Sequence, residues 1–372
     1  MIVTHDFSFF LVKMLTDANY EDLETKGYTV IPDILTSQEC EKTIGQYKDW
    51  LSQFQDGDWP YSANSLINRY NVGNMHPTWL VRLKSKKVFA QIWKTEKLLT
   101  SVDAIAIGRP PEKGDEDFHR PGDDWLHLDQ SSLREGLHAY QGGVYLENAE
   151  EDDWTLVVME GSHLLCQDFF DKNQRASQRS AINEYYSLLD KEVKEFEQKG
   201  CKLKRVAVPK GGMVLWDSRL VHANANPIKG RNNPGRWRFC VFVSMTPAIW
   251  ASREDMGKKK ETYNSVAMTT HWSSQCVRFS KTYMPSYAKS DVSYPNEIPA
   301  VARSHEAKKL AGVLQYDFGD GKPNGDDYFP YWKNGYTPKI HDKSSTIKTG
   351  MILCVVAGVA LAISIAVVRL TK

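Results

Sequence analysis

The chain has 372 residues, with 47 lysine and arginine residues against 46 aspartate and glutamate residues, and its formal net charge is +1. A hydrophobic fraction of 41% and a charged fraction of 25% are typical of a globular protein, and they exclude a largely disordered, collagen-like or coiled-coil chain. The near-zero net charge also argues against a protein that coats nucleic acid, so no nucleic-acid partner is predicted.

The first predicted elements are a short strand and two helices. Tyr28–Ile31 has the pattern of a strand, and Thr36 and Glu39 are spaced as the capping box of the helix that follows. A second helix is predicted over Lys86–Leu99 from the spacing of its apolar residues.

Beyond the second helix the pattern changes to short strands. One segment among them, Arg179–Gln198, has apolar residues at helical spacing and predicts a charged amphipathic helix inserted between strands. Many short strands separated by turns favour a mainly β protein, a sandwich or barrel, over a parallel βαβ sheet. The strand-like runs are Leu99–Ile107, Gly143–Leu146, Trp154–Met159, Val206–Val208, Met213–Trp216 and Phe239–Ser244.

Composition then divides the chain into parts. Residues 1–250 hold the strands and are predicted to form the main domain. After Ile249 the chain becomes polar, aromatic and rich in loop residues, which predicts a covering extension over 251–336. Residues 337–349, rich in lysine, serine and threonine, are typical of a linker.

Residues 350–368, GMILCVVAGVALAISIAVV, form an uninterrupted apolar segment long enough to cross a bilayer as a helix. The alternative is a buried core helix, but such a helix is rarely apolar on every side. We therefore predict a single-pass transmembrane helix that anchors the protein by its tail. A ridge of small residues suits close packing against a second copy, and hence a homodimer through the anchor; its members are Gly350, Cys354, Gly358, Ala362 and Ala366.

The cysteines bear on the side of the membrane that the body faces. Six cysteines are scattered without a CxxC pair, and the sequence has no Asn-x-Ser/Thr acceptor. Both features favour a reducing compartment, so we expect the body to face the cytosol. Nothing in the sequence selects one membrane over another.

His127 and Asp129 are the first candidates for chemistry. At positions i and i+2 of a strand they project from one face, where an imidazole and a carboxylate can bind one ion. Such a pair is expected about once by chance in a chain of this composition, so the context decides. His222 completes a set of two histidines and one carboxylate, which suits non-haem Fe(II) and leaves positions for a bidentate cosubstrate and O₂. Arg236, at the start of the next predicted strand, offers a fork for the far carboxylate of 2-oxoglutarate.

Over roughly residues 20–250 the sequence resembles the phytanoyl-CoA dioxygenase family of Fe(II)/2-oxoglutarate oxygenases. The resemblance rests on the order and spacing of several motifs, namely KGYTVIPDILTSQEC, NMHPTWLVRL, HLD, VVMEGSH and GGMVLWDSRLVHAN. It implies a double-stranded β-helix of the jelly-roll or cupin-like kind, flanked by helices. It also implies Fe(II) as the metal, with 2-oxoglutarate and O₂ as cosubstrates.

The family's site residues carry over to positions of this chain that match its motifs. The resemblance implies that His127, Asp129 and His222 are the iron ligands and that the 2-oxoglutarate arginine lies near Arg236. The loop before it is longer than usual, which leaves Arg238 as the other candidate. Asn224 occupies a position where the family often has a further cosubstrate contact. Because Asp129 retains the carboxylate that related halogenases lack, hydroxylation is expected.

The expected function is hydroxylation of a C–H bond in a small organic substrate, with release of succinate and CO₂. A membrane anchor makes a lipid or an acyl thioester an attractive substrate. Two alternatives remain open: a metal-dependent enzyme of the same fold that does not use 2-oxoglutarate, and a membrane-tethered scaffold without activity. His76, His119 and His271 are further candidates for the mouth of the site, and nothing in the sequence selects among them.

Overall fold

The computed structural model describes residues 14–54, 58–113, 118–120, 122, 124–280 and 292–333, and two antiparallel sheets dominate them. The helices are α1 (Asp17–Thr25), α2 (Ser37–Leu51), α3 (His76–Ile92), α4 (Cys166–Lys172), α5 (Gln174–Asn183), α6 (Asp190–Gln198), α7 (Arg253–Asn264) and α8 (His305–Leu310). The strands are β1 (Tyr28–Ile31), β2 (Leu66–Ile67), β3 (Leu98–Thr100), β4 (Ile105–Gly108), β5 (His127–Leu128), β6 (Arg134–Glu135), β7 (Tyr140–Tyr145), β8 (Thr155–Glu160), β9 (Tyr186–Ser187), β10 (Lys202–Val206), β11 (Met213–Asp217), β12 (His222–Ala225), β13 (Arg238–Pro247) and β14 (Tyr331–Trp332).

Strands that follow one another in the chain often belong to different sheets. In the described residues the larger sheet has the order β1-β11-β7-β13-β4-β2, with β3 also paired to β13, and the smaller sheet has the order β10-β8-β12-β5-β9. From β4 to β13 the chain therefore passes repeatedly from one sheet to the other and returns. This winding is that of a double-stranded β-helix, so the prediction of a mainly β jelly-roll core is confirmed.

Side chains alternate between the inside of the sandwich and its outer faces. Along β13, Cys240 joins an inner cluster with Leu156 and Val158 of β8, whereas Val241 joins the outer cluster of the larger sheet. Val157 of β8 points the other way, into the outer cluster of the smaller sheet. Because successive residues of a strand face opposite sides, every second residue of these strands is directed to the interior, where a site can form.

Helices cover both outer faces. Residues of α2 and α3 pack on the larger sheet, and residues of α4 and α6 pack on the smaller one. Helix α2 begins with the expected capping box of Thr36 and Glu39. The helix predicted over Lys86–Leu99 is observed as α3, which begins at His76 and ends at Ile92. It begins earlier than predicted because Pro77 suits the first turn of a helix.

The single helix predicted over Arg179–Gln198 is wrong. Helix α5 ends at Asn183, and Glu184 adopts a left-handed conformation with φ of 64°. Strand β9 then pairs with β5 before α6 begins. The Glu184 carboxylate accepts a hydrogen bond from the buried Arg134 at 3.0 Å, and this ion pair explains a backbone conformation that helical periodicity does not reveal.

The extension that follows the β core packs onto it. All described residues belong to one compact unit, Met1–Gly335. Lys97, next to β3, contacts Asp320 at 2.6 Å and Asn324 at 2.7 Å, and Tyr316 donates a hydrogen bond to the Leu98 carbonyl. The domain boundary at residue 250 stays a prediction.

The predicted linker and transmembrane helix, residues 337–349 and 350–368, lie outside the described residues. Within the part of the chain that the structure describes, no helix combines the length and the apolar character needed to cross a bilayer.

Candidate metal centre

The structure brings His127, Asp129 and His222 together inside the sandwich. His127 and His222 face each other across the paired strands β5 and β12. His127 Nε2 lies 3.5 Å from Asp129 Oδ1, and His222 Nε2 lies 3.4 Å from Asp129 Oδ2. One possible ligand atom from each residue falls within 4.8 Å of the others, which is the separation expected of atoms that share one metal ion.

Backbone carbonyls fix the orientation of both imidazoles. His127 Nδ1 lies 2.9 Å from the Trp125 carbonyl oxygen, and His222 Nδ1 lies 2.9 Å from the Leu220 carbonyl oxygen. A carbonyl only accepts, so each Nδ1 carries the proton and each Nε2 presents a lone pair toward Asp129. Metal-binding histidines are held in this way, and the donor set therefore fits Fe(II).

Burial keeps the His127 imidazole in the form that binds a metal. Desolvation, with a smaller contribution from His222, lowers the pKa of His127 to about 4, so this ring is neutral at pH 7. Burial alone would raise the pKa of Asp129, but His271, His127 and His222 outweigh it and hold that pKa well below its usual range. A neutral His127 imidazole beside the ionised Asp129 carboxylate is ready to coordinate without first losing a proton.

Gln141 orients the carboxylate. This residue of β7 donates a hydrogen bond from Nε2 to Asp129 Oδ2 at 2.8 Å. The contact leaves Oδ1 of Asp129 turned toward His127 Nε2. Sequence reasoning missed Gln141, because its proximity to Asp129 depends on how β7 of the larger sheet faces β5 of the smaller sheet in the folded chain.

A cavity of about 330 Å³ opens beside the triad, and its wall includes Asn224. Its wall includes the aromatic side chains of Trp125 and Tyr185. Trp125, 40% exposed, stacks on His127 with ring centroids 4.2 Å apart. The ring of Tyr185 contacts the Trp125 ring edge-on, with centroids 6.2 Å apart. The volume suits a small organic molecule.

The extension supplies one wall of this cavity. Thr270, His271, Trp272 and Arg278 line it, and His271 Nδ1 lies 3.9 Å from Asp129 Oδ2. His271 is thus the one candidate among the three mouth histidines that lines this cavity, whereas His76 and His119 do not. No local motif marks His271 or Arg278, so only the folded chain reveals them.

A buried arginine ties the extension to the core. Arg134 of β6 lies between the rings of Trp272 and Trp332, at 3.5 and 4.1 Å from their centroids, and pairs with Glu184. Both tryptophans belong to the extension, so this cation–π contact fixes the segment that carries His271.

The two candidate arginines have different surroundings. Arg236 precedes β13, and its Nη1 lies 2.6 Å from Asp153 Oδ2. Arg238 is the first residue of β13, is 2% exposed, and donates hydrogen bonds to Tyr145 Oη at 2.9 Å and to Ser65 Oγ at 3.1 Å. Among the described residues, no carboxylate forms an ion pair with Arg238.

Comparisons with known proteins agree with this site. The profile described as Phytanoyl-CoA dioxygenase (PhyH) matches residues 23–227, more than half of the chain. The "Ava biosynthesis cluster protein O" of Aspergillus versicolor is 23% identical over 279 residues, which cover 69% of this chain and 87% of that relative. A "Putative phytanoyl-CoA dioxygenase" of Dictyostelium discoideum is 20% identical over 294 residues, covering 66% and 80% of the two chains.

A similar solved structure is that of the non-heme alpha-ketoglutarate-dependent carbocyclase SnoK from nogalamycin biosynthesis. It has a TM-score of 0.43 and 14% identity, and the match covers 63% of this chain and 85% of that chain. The family match and the His-Asp-His donor set together confirm the predicted cofactors, Fe(II) with 2-oxoglutarate and O₂ as cosubstrates.

Proposed function

The chain belongs to the phytanoyl-CoA dioxygenase family, and from this premise we propose that it hydroxylates a C–H bond of a small organic substrate. The observation that carries the proposal is the set of His127, Asp129 and His222, in which both histidines are buried and both Nε2 atoms are directed to the carboxylate. A retained carboxylate favours hydroxylation over a reaction in which another anion takes that ligand position.

Bound iron would supply the oxidising chemistry, in which 2-oxoglutarate and O₂ are converted to succinate and CO₂ while the substrate is oxidised. The residues of this chain bind the metal and orient its ligands. His127, Asp129 and His222 hold the metal, and Gln141 holds the carboxylate. Trp125 shields His127 from solvent by stacking on it.

We assign the far carboxylate of 2-oxoglutarate to Arg238. Its guanidinium is buried beside Tyr145, and its Nε has no hydrogen-bond partner among the described residues. A buried cation is costly unless an anion faces it, and a guanidinium fork matches a carboxylate. Arg236 lacks this requirement, because Asp153 already neutralises it.

The position of Asn224 agrees with this assignment. On β12, Asn224 lies two residues beyond His222 and pairs with Leu156 of β8, and both residues line the cavity. Thr155, the neighbour of Leu156, forms a side-chain hydrogen bond with the Tyr145 hydroxyl, and Arg238 donates a hydrogen bond to the same hydroxyl. Arg238 does not itself line the cavity, so the assignment requires the cosubstrate to extend from the metal past Asn224 and beyond the lining residues to Arg238.

The proposal is tested on the full chain in detergent under anaerobic conditions. Addition of Fe(II) and then 2-oxoglutarate is expected to give the weak visible charge-transfer band of the chelated complex. Admission of O₂ should then release succinate. Iron binding without the band would favour an enzyme that does not use 2-oxoglutarate, and a folded protein that binds no iron would favour the scaffold.

We also propose that residues 350–368 anchor the protein in a membrane, with the oxygenase facing the cytosol. Their apolar composition and length support this. After alkaline carbonate extraction of cell membranes, the full chain is expected in the membrane pellet and a variant without residues 350–368 in the supernatant. Release of the full chain would contradict the anchor. Such an anchor would favour a substrate that partitions into membranes, and the ridge of small residues would favour a homodimer.

A further inference from the structure

Several buried polar atoms in the cavity wall lack a hydrogen-bond partner among the described residues. They include Gln141 Oε1, Thr270 Oγ1 and His271 Nε2. Buried polar atoms are nearly always paired in folded proteins, so a group of unpaired atoms around one cavity indicates contacts that a bound molecule completes.

The amide of Gln141 has a fixed orientation. Its Nε2 donates to Asp129 Oδ2, and an ionised carboxylate can only accept. The unpaired atom is therefore Oε1, which is a hydrogen-bond acceptor. Gln141 is 6% exposed, so this acceptor is buried in the wall of the cavity.

His271 presents a second acceptor. Its Nδ1 lies 3.9 Å from Asp129 Oδ2, and the negative charge of that carboxylate favours the proton on the nearer nitrogen, Nδ1. The buried Nε2 is then a lone pair without a partner.

These acceptors lie at the end of the site opposite to Arg238. Gln141 pairs in register with Ser244 of β13, six residues along the strand from Arg238. The segment that carries His271 is fixed at the same end, since Ser273 Oγ donates to the Ser244 carbonyl at 2.7 Å. Six residues of a strand span roughly 20 Å, so the acceptors face the substrate and not the far carboxylate of 2-oxoglutarate.

We propose that the substrate carries a hydroxyl or N–H group next to the carbon that reacts, and that Gln141 Oε1 and His271 Nε2 accept this donor. The inference rests on the proposed function and names its substrate class: ring compounds bearing a hydrogen-bond donor, not unsubstituted acyl chains. Trp125, Tyr185 and Trp272 offer flat apolar faces for such a ring. His271 is a positioning residue that directs this carbon toward the metal.

The test uses matched probes, phenol against anisole and indole against 1-methylindole. Each is titrated calorimetrically into the anaerobic complex of the full chain with Fe(II) and 2-oxoglutarate. We expect each donor probe to bind about tenfold or more tightly than its methylated partner, because the methyl group leaves both acceptors unpaired. In His271→Phe the preference should fall several-fold, while 2-oxoglutarate binds as in the wild type.

Two further variants separate a local effect from misfolding. His76→Phe, the same change at an exposed helix terminus away from the cavity, should keep the full preference. Gln141→Met should reduce it by removing the other acceptor. The inference is overturned if the methylated probes bind as tightly as the donors, if no donor probe binds, or if the preference survives in both His271→Phe and Gln141→Met. Failure of the wild type to bind Fe(II) or 2-oxoglutarate would instead reject the proposed function.

Discussion

Replacement of Asp129 by alanine is expected to lower the affinity for Fe(II) by more than about 100-fold and to abolish succinate release. Even partners that only hold a metal ligand in place are worth 10–100-fold in affinity, so loss of a ligand should exceed that range. The change removes the carboxylate that faces both Nε2 atoms of the triad histidines. Equilibrium dialysis against Fe(II) under anaerobic conditions measures the affinity directly.

The Asp129→Ala variant is expected to fold. His127 is neutral in the metal-free protein, because burial lowers its pKa to about 4, so removal of the carboxylate leaves no buried imidazolium without a counter-ion there. Thermal unfolding followed by circular dichroism checks this. His76→Ala serves as the control, since this exposed residue begins α3 away from the triad. Retention of wild-type Fe(II) affinity by Asp129→Ala would reject the metal site.

The triad was predictable because its chemistry leaves a local trace. His127 and Asp129 are two residues apart on a strand, and that spacing places them on one face in any sheet. His222 follows a strongly apolar strand that reads clearly in the sequence. The alternation of inner and outer residues in β8, β11 and β13 was likewise predictable as short buried strands.

Other parts of the site depend on contacts between distant segments. Gln141 and His271 are 130 residues apart in numbering. The packing of the two sheets brings Gln141 to Asp129, and the packing of the extension brings His271 there. Glu184 interrupts a helical pattern because its carboxylate pairs with Arg134, which lies 50 residues earlier. Such tertiary contacts override local propensity and have no counterpart in periodicity.

The choice between the two arginines shows the same limit at short range. Arg236 and Arg238 would point to the same side if both lay on one strand, so their spacing does not separate them. In the structure β13 begins only at Arg238. Arg236 lies before the strand, where Arg231 donates to its carbonyl at 2.9 Å and Asp153 pairs with its side chain.

Substitution of Arg238 by methionine is therefore expected to weaken 2-oxoglutarate binding by about 100-fold. The variant loses two hydrogen bonds from a guanidinium to a carboxylate, worth about 1.5–3 kcal/mol each. Because water competes for these groups, the net loss of binding free energy is smaller than their sum and corresponds to a change of this order. Arg238→Lys should fall between, since an ammonium keeps the charge and loses the fork. The intensity of the charge-transfer band during anaerobic titration with 2-oxoglutarate gives each dissociation constant.

Arg236→Met is the matched control and is expected to change 2-oxoglutarate affinity by less than about threefold. Its effect should be on stability, because Arg236 and Arg231 both pair with Asp153, which is buried, and loss of Arg236 removes one of the two cations. Opposite results are therefore expected for the two variants. Arg238→Met should lose 2-oxoglutarate binding, and it removes a buried charge that has no carboxylate partner among the described residues. Arg236→Met should keep 2-oxoglutarate binding and unfold at a lower temperature. If Arg236→Met lost 2-oxoglutarate binding and Arg238→Met retained it, Arg236 would be the arginine that binds the far carboxylate. The cosubstrate would then have to reach the loop before β13 and not the inner face of that strand.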